Sequence, residues 1–257
     1  MTKYKRTHSE FTSRSDVELQ NGDDLNKLLA STLPFLGQKW DVHLPVFLTA
    51  PSIARILWLN QVYLKGIDVP GRIIEFGSQW GASINVMLML KLIYEPWNAG
   101  REIISFSTFS DGFVTIDEKD GDISKIGDYA VLDKWEIKLE EMLNIHASRS
   151  PIGVSDNFSI INGDVCDTFP KWLDDNPEAI ISHVHFDMDV YQPTHDMLKL
   201  ILPRMPRMPK GALLIFDELN CPSFPGETLA VQEVLGIHRL SLRKSQYQPY
   251  SAYSIIE

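Results

Sequence analysis

The chain has 257 residues, and 44% of them are hydrophobic, so it can form one large domain or two small ones around a sizeable core. Its 34 Asp and Glu residues outnumber its 24 Lys and Arg residues, which gives a formal net charge of −10. This negative charge disfavours nucleic acid as a partner, because the phosphate backbone would be repelled.

The N-terminal stretch, the apolar runs and the cysteines do not point to export or to a membrane. The N-terminal stretch MTKYKRTHSEF lacks the apolar segment of a signal peptide, and the best apolar run, SINVMLMLKLIY, is too short to span a bilayer. The two cysteines, Cys166 and Cys221, lack the spacing typical of a metal or redox pair. We therefore expect a cytoplasmic protein with no membrane partner.

The first 70 residues predict a helical extension. Residues 1–22 are polar, and we expect them to be mobile. Capping acids followed by helically spaced apolar residues predict a helix near 23–33, and a second helix is predicted over 52–65 with Pro51 in its first turn. We expect residues 1–70 to act as a lid or in subunit contacts, and to form a single structural unit with a domain spanning residues 71–257.

From residue 71 onwards, apolar runs alternate with helical spacing. The runs that resemble strands are RIIEFG, EIISFSTF, FSIING, AIISHVHFD and GALLIFDE, and the helices between them are predicted over residues 82–95, 128–146, 167–175 and 194–205. This alternation is typical of an α/β fold with a parallel sheet covered on both faces. The C-terminal tail alternates in two runs about residues 244–248, which predicts an antiparallel hairpin.

The charged segment of residues 110–127, SDGFVTIDEKDGDISKIG, fits neither pattern. A loop of this length in a compact domain is either a lid over a site or a solvated insert. The sequence leaves both interpretations open.

A glycine-rich turn follows the first predicted strand. Glu75, Gly77 and Gly81 have the spacing E-x-G-x-x-x-G, and Ser78 and Ser83 lie in the same stretch. Glycine permits close approach of a ligand to the backbone, but the spacing is not the G-x-G-x-x-G of dinucleotide binders. An acid before the first glycine could pair with the amine of S-adenosylmethionine, although a purely structural turn would look similar.

Further contacts to a nucleoside cofactor are expected at the ends of the second and third strands. Ser107, with its neighbours Thr108 and Phe109, occupies the position where an acid commonly binds the ribose, and Asp111 follows shortly after. Asp164 follows the third strand and could accept a hydrogen bond from adenine. Alternatively, Asp164 caps the next helix.

Two pairs of acids follow the fourth and fifth strands. Asp187 and Asp189 lie two residues apart, so on an extended strand they would face the same side, and Asp217 and Glu218 follow the next strand. Several carboxylates in a small space repel one another unless a cation neutralises them, and Mg²⁺ prefers oxygen ligands. The sequence therefore predicts a metal site, with helix capping as the alternative.

The stretches IIEFGSQWGAS, FSTFSDGF, GDVCDTFP, HFDMDVYQPTHDMLKLILPRMPRMPKGALLIFDE and PGETLAVQEVL resemble the macrocin-type sugar O-methyltransferases over residues 70–236. The resemblance implies a class I methyltransferase fold, a homo-oligomer, and a nucleotide-linked deoxysugar such as TDP-rhamnose as acceptor in antibiotic biosynthesis.

The same resemblance implies roles for the acidic residues. Asp187, Asp217 and Glu218 match the metal ligands, with Asp187 also expected to face the cofactor, and Asp189 matches the general base. Tyr191 would contact the substrate. The family usually has Asp-Asp where this chain has Asp217-Glu218, which makes Glu218 the least certain ligand.

Two other enzyme classes share parts of this pattern. A nucleotide-sugar glycosyltransferase also uses a D-x-D metal motif, and a catechol-type O-methyltransferase shares the fold, the cofactor and the metal. A NAD-dependent oxidoreductase is disfavoured by the glycine spacing. A non-catalytic binding module would not explain why the acids converge.

Overall fold

The computed structural model describes residues 15–153 and 157–257, and the chain divides into two compact units with the boundary between Ile56 and Leu57. The first unit contains α1 (Asp16–Thr32), α2 (Trp40–His43) and the start of α3 (Ala50–Lys65).

The prediction that the first helix begins near residue 23 was wrong. The Ser15 hydroxyl accepts from the Glu18 N–H, and the Glu18 carboxylate accepts from the Ser15 N–H, so a capping box starts α1 at Asp16. The predicted mobility of residues 1–14 lies outside the described residues.

The second unit is built on a seven-stranded sheet with the order β3-β2-β1-β4-β5-β7-β6. Strands β1 to β5 pair in parallel, whereas β7 is antiparallel to both β5 and β6, which confirms the predicted parallel sheet and C-terminal hairpin. The strands are β1 (Arg72–Phe76), β2 (Ile103–Ser107), β3 (Phe158–Asn162), β4 (Ile181–Phe186), β5 (Leu213–Phe216), β6 (Leu242–Lys244) and β7 (Ala252–Ile255).

Helices follow the parallel strands. They are α4 (Ala82–Tyr94), α5 (Trp135–Ala147), α6 (Val165–Asp175), α7 (Tyr191–Ile201) and α8 (Pro225–Val234). The predicted start of α5 at residue 128 was wrong, because Tyr129 and Lys134 have φ angles of 60° and 56°, which an α-helix does not accommodate. Helix α8 was not predicted as a separate element.

The sheet is covered on both faces, as predicted. Alternate side chains of β1 enter different cores: Ile74 and Phe76 pack with residues of α6, α7 and α8, whereas Ile73 packs with residues of α3, α4 and α5. No single helix among the described residues is long and apolar enough to cross a membrane. Because β1, β2, β4 and β5 run in parallel, their carboxyl ends meet at one edge, where ligands of open α/β sheets bind.

Candidate active site

The turn after β1 brings the backbone of β1 against the residue that follows β4. The Gly77 N–H donates to the Phe106 carbonyl and the Asp187 N–H donates to the Phe76 carbonyl, each at 2.9 Å. Gly77 has a φ of +96°, and a Cβ there would overlap the carbonyl oxygen of Asp187. Glycine is therefore required both by the backbone conformation and by the lack of space.

Glu75 places an acid beneath this turn. It is only 3% exposed, and its Oε2 accepts a hydrogen bond of 2.8 Å from the Ser105 hydroxyl. Its Oε1 and the Ser78 Oγ are both buried and have no hydrogen-bond partner among the described residues. Leaving such atoms unpaired is costly, so the turn fits a polar ligand that bonds to them, as the amine of S-adenosylmethionine would.

The start of α4 completes this glycine-rich turn. Gly81 occupies the N-cap position with a φ of +82°, and the buried Ser83 lies in the first helical turn. A Cβ at Gly81 would overlap the side chain of Leu139 in α5. The N–H groups of the first turn of a helix lack intrahelical acceptors, so this end of α4 favours an anionic group such as a carboxylate.

The residues predicted to bind the ribose form a compact turn after β2. The Ser107 Oγ accepts from the Phe109 N–H at 3.3 Å, and the Thr108 hydroxyl donates to the Gly112 carbonyl at 2.7 Å. Phe109 is buried with a φ of +44°, whereas Asp111 is exposed. These contacts stabilise the turn itself, and the role of its residues towards the ribose remains a prediction.

Asp164 caps α6. Its Oδ1 accepts from the Cys166 N–H at 2.8 Å, and the helix begins at Val165, slightly before the predicted start at Asp167 or Thr168. The capping interpretation is thus confirmed. A contact from the half-buried Asp164 to adenine remains a prediction.

The predicted metal ligands follow β4 and β5 directly. Asp187 comes after Phe186, the last residue of β4, and it offers an oxygen within 4.8 Å of ligand atoms of Glu75 and His185. The His185 Nε2 lies 3.4 Å from Oδ1 of Asp217, which follows β5. The chain therefore assembles four potential ligand side chains from three adjacent strands at one edge of the sheet.

His185 was not predicted to belong to the site. Its Cα pairs with that of Glu75 in the ladder between β1 and β4, so the strand register brings the two side chains together. The alternation of His183 and His185 along β4 was the available sequence signal, but it does not reveal the register. Ser251 was also missed: its hydroxyl lies 3.1 Å from the carbonyl oxygen of Asp217 and 3.3 Å from Oδ1 of that residue.

Asp189 lies on a tight turn rather than on an extended strand. The Val190 N–H donates to the Met188 carbonyl at 2.7 Å, which closes a three-residue turn around Asp189, and the φ of Asp189 is +62°. The expectation that strand alternation aligns Asp187 and Asp189 does not hold, because β4 ends at Phe186. The turn itself sets the direction of the half-buried Asp189 side chain.

Glu218 is held by a buried acid of α8. The Glu218 N–H donates to Oε1 of Glu227 at 3.0 Å, and Glu227 has no exposed surface. Burial raises the pKa of Glu227 well above its usual value, and the charges of Asp217, Asp189 and Glu218 raise it further. Glu227 was missed because α8 was not predicted.

Tyr129 adds a phenol to the same group of acids. Its ring lies 5.1 Å from that of Phe113 and 6.4 Å from that of Phe224, measured between centroids. Burial raises the pKa of Tyr129, and the charges of Asp189, Glu218 and Asp187 raise it further, so the phenol stays protonated. No local sequence pattern marked Tyr129.

Tyr191, the predicted substrate contact, is only 6% exposed. Its hydroxyl donates to Oε2 of Glu233 at 2.5 Å, and the Lys119 Nζ lies 3.9 Å from the centre of its ring. A contact between Tyr191 and the substrate remains a prediction.

A scan of family profiles finds no match, and neither does a search of curated proteins. A solved structure described as CalS11, calicheamicin methyltransferase, superposes with a TM-score of 0.89 at 31% identity, covering 99% of this chain and 98% of that one. An apo structure of CalS11, described as TDP-rhamnose 3'-O-methyltransferase, superposes with a TM-score of 0.82 at 30% identity, covering 97% of this chain and 99% of that one. The O-methyltransferase NovP shares the fold, with a TM-score of 0.54 at 16% identity over 79% of this chain and 80% of that one. The resemblance noted in the sequence is thus confirmed, and the chain belongs to the family of S-adenosylmethionine-dependent sugar O-methyltransferases that includes CalS11.

Proposed function

We propose that this enzyme transfers a methyl group from S-adenosylmethionine to a hydroxyl of a TDP-linked 6-deoxysugar, in a reaction that requires a divalent cation. The observation that carries the proposal is the match to CalS11 at 31% identity over 99% of the chain. That relative is described as a TDP-rhamnose 3'-O-methyltransferase in calicheamicin biosynthesis, so we propose the 3-hydroxyl of TDP-rhamnose as acceptor and natural-product biosynthesis as context. A glycosyltransferase is inconsistent with the family.

The turn after β1 is the proposed cofactor site. S-adenosylmethionine supplies a methyl group made electrophilic by the positively charged sulfur. Glu75 is held in place by the Ser105 hydroxyl. Its second oxygen, Oε1, and the Ser78 Oγ both lack a hydrogen-bond partner among the described residues. These two atoms would bind the polar groups of the cofactor, while Gly77 lets the backbone approach it closely.

Asp187, Asp217 and Glu218 are the proposed metal ligands. Their oxygens suit Mg²⁺. Burial is the main cause of the raised pKa of the neighbouring Glu227, and the charges of Asp217 and Glu218 add to it, which is consistent with negative charge gathered in one small space. A bound divalent cation would supply positive charge that lowers the proton affinity of the acceptor hydroxyl. His185, at 3.4 Å from Asp217, orients that carboxylate.

Asp189 is the proposed general base. It would accept the hydroxyl proton while the new C–O bond forms and the S–C bond of the cofactor breaks. Its half-buried position on a tight turn, rather than on a free loop, favours a fixed direction of approach.

The test is an assay of the purified protein with S-adenosylmethionine, Mg²⁺ and TDP-rhamnose, with catechol as the alternative acceptor and mass spectrometry as readout. We expect a methylated sugar nucleotide. Asp189→Asn should lower turnover by about 100-fold or more while the affinity for S-adenosylhomocysteine, measured by isothermal titration, stays unchanged. Asp196→Asn is the matched control, because Asp196 bonds to Gln192 and His195 within α7.

Methylation of catechol but not of the sugar nucleotide would reject the proposed acceptor. Near-normal turnover of Asp189→Asn would reject the assignment of the base. The predicted homo-oligomer, and the role of residues 1–70 as a lid or in subunit contacts, remain predictions.

A further inference from the structure

A buried acid of the charged segment, residues 110–127, binds the start of α7. Asp120 is 1% exposed, its Oδ1 accepts from the Tyr191 N–H at 2.5 Å, and its Oδ2 accepts from the Asp117 N–H at 2.8 Å. Val190 occupies the N-cap position of α7, and its apolar side chain cannot accept a hydrogen bond. Asp120 therefore supplies, from 71 residues away in the chain, the acceptor that a capping residue normally provides.

The start of α8 closes this junction from the other side. A Cβ at Gly226 would overlap Oδ1 of Asp120 and press against the backbone nitrogen of Tyr191, so only glycine fits between the two helices. The next residue, Glu227, accepts the hydrogen bond from the Glu218 N–H. The junction of Asp120, Tyr191 and Gly226 thus connects the turn that carries Asp189 with the turn that carries Glu218.

The turn at Asp189 needs such support. A positive φ in a three-residue turn closed by an i to i+2 hydrogen bond is uncommon for a residue other than glycine, and it persists only where the surrounding structure holds it. Tyr191, which Asp120 anchors, lies two residues after Asp189. Releasing the Tyr191 N–H would let the first turn of α7 fray and Asp189 relax towards an ordinary conformation.

We propose that Asp120 is a positioning residue of this enzyme, which holds Asp189 in its reactive orientation through the N–H of Tyr191. This inference rests on the proposed function, in which Asp189 accepts the proton. Asp120 acts through another residue and is not itself in contact with substrate. The charged segment of residues 110–127 therefore helps to hold the active site in its reactive conformation.

The test is a double-mutant cycle between Asp120→Ala and Asp189→Asn. Asp120→Ala removes both acceptor oxygens, including the one that binds the Tyr191 N–H. It should lower kcat about tenfold to 100-fold in the wild-type background, because small misplacements of a reacting group have effects of that size. In the Asp189→Asn background the same change should lower kcat less than about twofold, since residues that act as a unit are not additive. The KM for S-adenosylmethionine should stay unchanged in both backgrounds.

Asp117→Asn is the matched control. It removes the same charge from the same segment, and an Asn side chain can still accept the hydrogen bond that Asp117 takes from the Lys119 N–H. Gly226→Ala is a second variant that displaces Asp120 without changing the charge, and it should reproduce the loss of kcat.

Hydrogen exchange provides a readout that needs no acceptor. The Tyr191 amide should exchange at least about tenfold faster in Asp120→Ala and at the wild-type rate in Asp117→Asn. An equal loss of kcat in both backgrounds, or unchanged exchange at Tyr191, overturns the proposal. A wild-type enzyme inactive on sugar nucleotides overturns the proposed function alone, and the cycle is then measured with the acceptor that it does methylate.

Discussion

His183 lies within β4 with no exposed surface, and its pKa is lowered to about 3. Burial penalises the charged imidazolium most, and the Arg101 guanidinium adds repulsion. The neutral ring has hydrogen-bond partners on both sides: Nδ1 lies 2.8 Å from the Ser182 hydroxyl and Nε2 lies 3.3 Å from the Val62 carbonyl. The folded chain therefore keeps His183 neutral under conditions in which the unfolded chain protonates it.

This difference predicts how stability depends on pH. Between about pH 6.5 and pH 3 the unfolded state binds the His183 proton and the folded state does not, so the free energy of unfolding increases with pH in this window. The contribution is fully present above pH 6.5 and is lost as the pH falls, by at most about 1.4 kcal/mol per pH unit. We expect His183→Gln, which cannot take up a proton, to flatten this part of the profile. Urea denaturation of both proteins from pH 7.5 to pH 5 measures the effect, and parallel profiles would contradict it.

Side chains that form a motif within a few residues of sequence could be recognised. Side chains that reach the site through contacts between distant segments, such as paired strands, could not. Glu75 and Gly77 were recognised because the turn that they form lies within a few residues of sequence. His185 lies at the site because it pairs with Glu75 in the ladder between β1 and β4, and the register of that ladder cannot be deduced from the sequence of either strand. Glu227 is a buried acid on α8, and buried acids are too rare for composition to predict them.

At the level of elements, α5 packs against the start of α4 and thereby shapes the proposed cofactor turn. Leu139 of α5 is 3% exposed, and a Cβ at Gly81 would overlap its side chain. The overlap involves the end of a flexible side chain rather than the backbone, so removing that side chain should relieve it. The positive φ of Gly81 would remain a source of strain for any other residue.

We therefore predict that Gly81→Ala and Leu139→Ala are coupled. Leu139→Ala alone should destabilise the fold by about 2–5 kcal/mol, as cavity-forming core substitutions do. Gly81→Ala should cost about 1–3 kcal/mol less in the Leu139→Ala background than in the wild type, because the overlap is then absent. Chemical denaturation of the four proteins gives the coupling, and strictly additive changes would show that Leu139 does not limit the space at Gly81.

Elements defined by long apolar patterns were predicted, but α8 was missed and the starts of α1 and α5 were wrong by several residues. The strands and α4 follow directly from runs of apolar residues. Helix α1 starts earlier than predicted because a capping box stabilises its start at Asp16, although residues 16–22 are polar and lack the apolar spacing that predicts a helix. Helix α5 starts later because the backbone at Tyr129 and Lys134 is left-handed, and neither residue is one that commonly marks such a turn.

For the molecule as a whole, alternating strands and helices were sufficient to predict the sheet, because parallel strands require crossover connections. The order β3-β2-β1-β4-β5 then brings β1, β4 and β5 side by side, which is why acids far apart in sequence converge. What the sequence could not specify is how the segment of residues 110–127 reaches this edge. Its contacts, such as that of Asp120 with Tyr191, link segments with no shared local pattern.

The convergence of acids predicts that Mg²⁺ stabilises the folded enzyme. The charges of Asp217, Asp189 and Glu218 add to the effect of burial on the pKa of Glu227, so these carboxylates act on one another. A cation that binds only the folded state shifts unfolding by mass action. At a concentration about 100 times its Kd, Mg²⁺ should add about 2.7 kcal/mol and raise the Tm by about 5–10 °C. Chelation with EDTA should abolish turnover, and added Mg²⁺ should restore it.

The matched comparison is between Asp187→Asn and Asp196→Asn. The first removes a proposed ligand and should lose the Mg²⁺-dependent rise in Tm, whereas the second removes an acid that bonds within α7 and should retain it. NaCl at equal ionic strength separates a specific site from general screening of the net charge of −10, because screening does not distinguish the two cations. Full turnover in the chelated enzyme, or an equal rise in Tm with NaCl, would mean that the acids at this edge of the sheet act without a metal.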